Sequence, residues 1–245
     1  MTKTNSQIPA LFWFLLSFCL VGCGKDSIKP VNNDTVSDIG LFSVSATQKV
    51  AFAPGNLAEG GRSFVDNQWD LGGYFGWGSG NHPSDTSTDY HDYVAFDDWG
   101  NHIEGGWRTM TYDEWHYVLF SRESAEDKHA SGIVNNRHGL ILLPDNWTMP
   151  DSCLFIPGEN GWTRNWYSLQ QWQKMEAAGA VFLRAGGYRW GSNTFGLSVG
   201  GNYWLATRYD ENDAHYMYFD ENLVNWQTIT NLAAGMQVRL IRNRN

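Results

Sequence analysis

Residues able to do chemistry are few and scattered along this 245-residue chain. Seven histidines stand at positions 82, 91, 102, 116, 129, 138 and 215, and only His82, His91 and His102 keep acidic company, from Asp85, Asp89, Asp92, Asp97 and Asp98. Imidazole nitrogens and carboxylate oxygens can together hold a divalent metal. The spacing fits no ligand motif, however, and solvated loops account for the run. No His-Glu-x-x-His or Cys-x-x-Cys pattern marks a zinc site, and no Gly-x-Ser-x-Gly elbow presents a nucleophile. Gly76 to Gly80 is glycine-rich but lacks the lysine and hydroxyl of a phosphate-cradling loop, so it reads as a tight turn. The carboxylates are too dispersed to nominate a pair for glycosidic cleavage. The expectation is a chain with no catalytic residues, no metal and no cofactor.

One cysteine does sit in a reactive context. Lys3 precedes an apolar run, Ala10 to Leu20, that is too short to cross a hydrocarbon core of ~30 Å, and Leu20-Val21-Gly22-Cys23 closes it as a bacterial lipoprotein signal peptide closes. Cleavage before Cys23 would leave an N-terminal cysteine as the lipid-attachment residue, and more than one acyl chain makes a stable anchor. The expected location is the cell envelope, lipid-anchored to the outer membrane and exposed at the surface. Cys19 leaves with the leader and Cys23 is acylated, so Cys153 has no partner and a disulfide framework is excluded. Cys153 reads as a small buried hydrophobe.

Loss of residues 1–22 removes one charged residue, Lys3, and leaves 16 basic against 26 acidic residues, a formal charge of −10. Phosphate contacts need a basic surface, so nucleic acid is not an expected partner. Thirteen tryptophans, thirteen phenylalanines and eleven tyrosines beside 26 glycines supply ample aromatic area for a core in a tightly turned, loop-rich protein.

The elements that must position these residues follow from pattern. Residues 23–38 are polar, aperiodic and contain Pro30, which reads as a flexible tether to one domain over 39–245. Leu41 to Val44 and Lys49 to Phe52 look like short strands, the second ended by Pro54-Gly55-Asn56. Gly139 to Leu143 and Ala180 to Leu183 are continuous apolar runs suited to buried strands, and Met236 to Ile241 largely alternates. Two helices are marked by capping boxes. Thr111 to Glu114 opens one with Tyr112, Trp115, Val118 and Leu119 on a stripe; Ser168 to Gln171 opens another with Leu169, Trp172 and Met175, ended by Gly179. The fold class is α+β, with more strand and loop than helix.

Gly106 to Trp115 (GWRTMTYDEW) resembles the Trp-Arg-Leu-Pro-Thr-x-x-Glu-Trp signature of formylglycine-generating-enzyme-like proteins, a branch of the C-type lectin fold. A broader resemblance runs in order through residues 50–57, 96–100, 142–147, 175–183, 187–189, 201–204 and 235–240. It is to a family of Bacteroidetes surface lipoproteins related to the Fibrobacter succinogenes major paralogous domain. The resemblance implies a C-type-lectin-like domain, two main helices flanking a small, twisted, mostly antiparallel sheet, whose last strands present a ligand surface. Within the signature, Thr111 and Glu114 have a capping role, and Trp107 and Trp115 are sized for a core. The enzymes of that branch act through a cysteine pair that this chain lacks, which removes the oxidase chemistry. Nor are the tripeptides of calcium-dependent lectins present, since Glu211-Asn212-Asp213 is only a faint match to one of them.

The segment from Tyr188 to Thr230 is rich in Trp, Tyr, Asn and Asp. In the resembling family the stretch matching Ala214 to Phe219 often reads Ala-Tyr-Asn-Leu-Asn-Phe. On a strand, period two sends Met217 and Phe219 to the core and Tyr216 and Tyr218 to the other face. Some lipoproteins of this fold are variable proteins of diversity-generating retroelements, and single adenine substitutions turn Asn codons into Tyr codons, as Tyr216 and Tyr218 would require. The candidate ligand-binding residues are Trp190, Asn193, Phe195, Tyr209, Asp210, Asn212, Tyr216, Tyr218, Asn225 and Trp226, the rings as anchors and the polar groups as directional donors and acceptors. The expected function is non-enzymatic recognition of a protein or glycan by a lipid-anchored module. The alternative is a structural or adhesin accessory subunit of a surface assembly.

Overall fold

In chain order the strands are β1 (Leu41–Ser43), β2 (Lys49–Phe52), β3 (Trp107–Arg108), β4 (His129–Val134), β5 (Arg137–Leu142), β6 (Trp166–Tyr167) and β7 (Val181–Arg184). They continue with β8 (Tyr188–Trp190), β9 (Asn193–Phe195), β10 (Gly201–Arg208), β11 (Asp213–Phe219), β12 (Val224–Asn231) and β13 (Ile241–Arg244). The helices are α1 (Tyr112–His116), which runs into a π-helical turn at Tyr117–Ser121, and α2 (Leu169–Ala177). This computed structural model describes residues 40–158 and 160–244. The leader, the tether and the expected lipid-attachment residue Cys23 lie outside the described residues.

The strands form four small sheets, ordered β1-β2-β13-β3, β10-β11-β12, β6-β4-β5-β7 and β8-β9. This corrects both the expected α+β class and the expected architecture of two main helices flanking one sheet: the protein is mostly β. Strand occupies 34% of the structure and helix 17%, and the two helices are short, five and nine residues. Both capping boxes form as the residues dictate: Thr111 with Glu114, and Ser168 with Gln171. A capping box starts a helix without lengthening it. After His116 the α1 stripe passes into the wider turn, where Arg122 N donates to Tyr117 O at 2.9 Å, and α2 stops at Gly179, whose φ is +97°. Short segments paired across long sequence separations supply the rest.

Stacking of the sheets explains the apolar runs. Leu140 and Leu142 of β5 and Val181 and Leu183 of β7 face a central core with Phe42, Val50, Trp115 and Leu119. The alternate residues, Ile141 and Phe182, face a second layer closed by Trp172 and Met175 of α2. Strands buried on both faces read as continuous apolar stretches. Beyond the central core, β10-β11-β12 is a second wall: Tyr203, Leu205, Met217 and Phe219 face inward. Trp204 and Ala214 face a third cluster built from residues 53–99 and 232–240. That long loop region is pinned to β10 by two indoles, Trp204 Nε1 to Phe75 O at 2.7 Å and Trp77 Nε1 to Leu205 O at 2.9 Å. Met236 to Leu240 does not form the alternating strand expected of it. Every residue there is buried, and pairing is limited to bridges such as Phe75 with Met236.

Candidate functional site

Three of the six exposed Phe, Tyr and Trp side chains among the described residues, Tyr188, Trp190 and Phe195, lie on the β8–β9 hairpin. Its register pairs Tyr188 with Phe195, Arg189 with Thr194 and Trp190 with Asn193. Gly191, at φ +57°, opens the two-residue loop, a conformation that glycine takes without a Cβ penalty. Gly187, at φ +64°, is bound to be glycine as well, because a Cβ there would stand 2.0 Å from Phe195 O. The hairpin is tied down by reciprocal backbone bonds between Arg189 and Gly235, at 2.7 and 2.8 Å. Period two then gives it two different faces. Tyr188, Trp190 and Phe195 are 38, 41 and 46% exposed, with the Tyr188 and Phe195 rings stacked at 5.4 Å. On the other face, Arg189 and Thr194 line a cleft of ≈ 410 Å³ with Glu59, Tyr74, Ser84 and Thr86. Leu197 and Val199, 48 and 64% exposed, follow β9 in the chain.

Tyr216 and Tyr218 join this face only in part. Met217 and Phe219 are fully buried on the central core, as period two requires. Both tyrosines are half-buried. Tyr216 packs on the third cluster, edge-on to Trp204 at 6.4 Å. Burial raises its hydroxyl pKa, and the nearby Tyr188 adds to that rise. Tyr218 donates to Asp220 Oδ2 at 2.8 Å, and burial together with that carboxylate pushes its hydroxyl up to about 12. Tyr216 adds to the rise at Tyr218 in the same way as Tyr188 does at Tyr216.

The remaining candidates lie elsewhere. Tyr209, Asp210 and Asn212 occupy the β10–β11 turn, where Asp210 Oδ1 accepts from the backbone N–H of Asn212 and Asp213, a turn-forming role. Asn225 Oδ1 accepts from Gln227 N in the irregular stretch of β12 opposite Tyr216 and Tyr218. Trp226 sits on the opposite side of the sheet from Tyr216. It packs on the central core beside Phe120 at 4.2 Å, His116 at 5.1 Å and Tyr112 at 6.3 Å. From there the rings continue through Tyr112 and His215 to Tyr209. The ten residues therefore occupy three places, of which the hairpin with Tyr216 and Tyr218 is one. Two contributors were not singled out from sequence. Tyr188 shares its strand face with Trp190, so period two could have found it; the exposure of Phe120 follows from the π-helical turn, which left no local signal.

The residues tested for chemistry have structural partners. His102 Nε2 and Asp97 Oδ2 lie 2.6 Å apart and His91 Nδ1 and Asp89 Oδ1 2.7 Å apart, and among the described residues no three metal-ligating side chains gather. Glu114 accepts from Arg108 Nη1 at 2.8 Å and from Thr111 N at 2.9 Å, while Trp115 is 1% exposed. Cys153 is half-buried against the α2 layer. No helix among the described residues is long and apolar enough to cross a membrane. Compared with known proteins, the chain matches no family model, no curated protein and no solved structure.

Proposed function

We propose that this chain is a lipid-anchored recognition protein of the cell envelope, which engages a protein or glycan through the outer face of the β8–β9 hairpin. The observation that carries the reading is the density of exposed apolar side chains there: Tyr188, Trp190 and Phe195, 38 to 46% exposed on a hairpin held by backbone bonds, followed directly in the chain by Leu197 and Val199, 48 and 64% exposed. Large exposed apolar patches on a folded domain mark interaction sites. Rigid rings give contact area with little rotamer entropy to lose. The Leu20 to Cys23 pattern supports the anchor.

The test compares wild-type protein with a Trp190→Ser, Phe195→Ser double variant on glycan and protein arrays, with melting temperature as the folding control. Both side chains are more than one-third exposed, so melting should change little while binding to any captured ligand falls at least about tenfold, as for hot-spot aromatics. Equal binding by the two proteins refutes the assignment. A second patch favours the accessory-subunit reading: Trp166 and Leu169, 61 and 42% exposed, line a cleft of ≈ 470 Å³ with Asn135 and Asn136. Loss of co-purifying subunits from a Trp166→Ser variant, with the hairpin variant unaffected, would establish that reading instead.

A further inference from the structure

Remote from the hairpin, three cations crowd round one carboxylate. Asp145 is used up by its immediate neighbours: it accepts from Ser43 N at 3.0 Å and Ser43 Oγ at 2.6 Å, and from Arg122 Nη1 at 3.3 Å. Lys49 Nζ stands 3.4 Å from the same group with its side chain 42% exposed. Lys128 Nζ donates to two backbone carbonyls, Glu123 O at 2.8 Å and Asp145 O at 3.2 Å, and has no ion pair among the described residues. Burial, and then the Arg122 guanidinium beside it, hold the Lys128 ammonium below its usual range.

Arg122 is the unusual member. Its side chain is 1% exposed. It follows the π-helical turn, lies over the Phe42 ring at 5.1 Å and donates from Nε to Val118 O at 2.7 Å. Its Nη2 finds no acceptor among the described residues. Burial pushes its pKa down to about 10, so it is charged at neutral pH. These groups, with Tyr117, Glu123 and Asn146, line a pocket of ≈ 240 Å³. Tyr117 and Asn146 add a hydroxyl and an amide side chain to the lining. With Asp145 and Glu123 both ionised the lining keeps one net positive charge, in a chain whose formal charge is −9.

We propose that this pocket binds a tetrahedral oxyanion of the phosphate or sulfate class, held at the wall by Lys49, Lys128, Tyr117 and Asn146 over the fixed charge of Arg122. A carboxylate suits the site less well. Planar two-oxygen anions favour the bidentate fork of arginine, and here Asp145 and Val118 already take that fork. Separate ammonium, hydroxyl and amide donors match three or four oxygens instead. The pocket also exceeds a bare ion in size and admits a small ester group.

The experiment is isothermal titration of the full chain with sodium phosphate, sodium sulfate and methyl phosphate, at constant ionic strength, with sodium acetate as comparison. Saturable one-to-one binding of a tetrahedral anion, stronger than that of acetate, is expected. Methyl phosphate binding as tightly as phosphate would mark a group carried on a larger molecule, and phosphate binding alone would mark the free ion. A Lys49→Gln, Lys128→Gln double variant should bind at least about tenfold more weakly, the scale of one charge-assisted contact. If the double variant misfolds, Lys49→Gln alone, at an exposed side chain, carries the comparison. Absence of saturable binding, or unchanged affinity in a folded variant, overturns the assignment.

Discussion

Replacing Glu114 with alanine tests how far one local motif supports this fold. Its carboxylate takes both guanidinium nitrogens of Arg108, Nη1 at 2.8 Å and Nη2 at 2.5 Å, and the backbone N–H and hydroxyl of Thr111 at 2.9 and 3.1 Å. The Thr111 cap on residue 114 N survives, but the returning half of the capping box is lost, and with it a hydrogen bond from Thr111 N worth about 1 kcal/mol. The ion pair has side chains 27 and 14% exposed, so it lies between exposed pairs worth about 0–1 kcal/mol and buried ones whose breakage costs about 3–5. Arg108 would keep Asn243 Oδ1, at 2.8 Å from Nη2, which limits the damage. The sum is about 2–3 kcal/mol, or a fall in Tm of about 4–12 °C for a domain of this size.

The pH dependence has a definite sign. Burial alone would raise the Glu114 pKa, but the hydrogen bonds from Arg108 and Thr111 outweigh it and hold the carboxyl below its usual range. Its contribution is therefore fully present above the unfolded value of about 4.3 and is lost as pH falls through the lower folded value. Scanning calorimetry from pH 7 to about pH 3 should show the gap between wild type and variant narrowing towards acid. A Tm difference under about 1 °C at pH 7, or a gap that widens in acid, would refute the reasoning.

Two further perturbations probe the layers. A Gly139→Ala Cβ would lie 2.3 Å from Leu183 O and 2.4 Å from the Phe182 ring; the paired β5–β7 backbone cannot yield, so overpacking should cost about 3 kcal/mol in a thermal melt, and an unchanged Tm would mean the sheet gives way. Arg239, 2% exposed, donates to Ala53 O at 3.2 Å, to Phe182 O and to Gln68 Oε1 at 3.4 Å. Arg239→Lys cannot span three acceptors and should lower stability by about 2–3 kcal/mol in urea unfolding; an unmoved midpoint would show that those contacts contribute nothing.

Local chemistry was legible wherever its reach is three or four residues. Thr111 with Glu114, Ser168 with Gln171 and Gly179 act on backbone they adjoin, so the helix starts and the α2 stop could be read directly. The apolar runs at β5 and β7 likewise announced burial on both faces. Helix length was not legible, because a cap says nothing about where the stripe behind it will be spent. Nor was the division of the candidate residues. Trp226 and Tyr216 are ten positions apart, yet a sheet wall separates them, and each packs on a different core.

What the sequence determined by itself is therefore a set of short-range instructions: which segments extend, where helices begin, and which β11 residues turn inward at Met217 and Phe219. Tertiary structure alone decided which rings meet solvent. The face of β11 opposite the central core would be open on an isolated sheet, but the 53–99 loop region folds over it and half-buries Tyr216. The Arg122 pocket makes the same point, for Ser43 and Asp145 stand 102 residues apart in the chain and 2.6 Å apart at their oxygens. Periodicity records the orientation of a residue within its own strand, whereas exposure depends on what other parts of the chain lay against that strand.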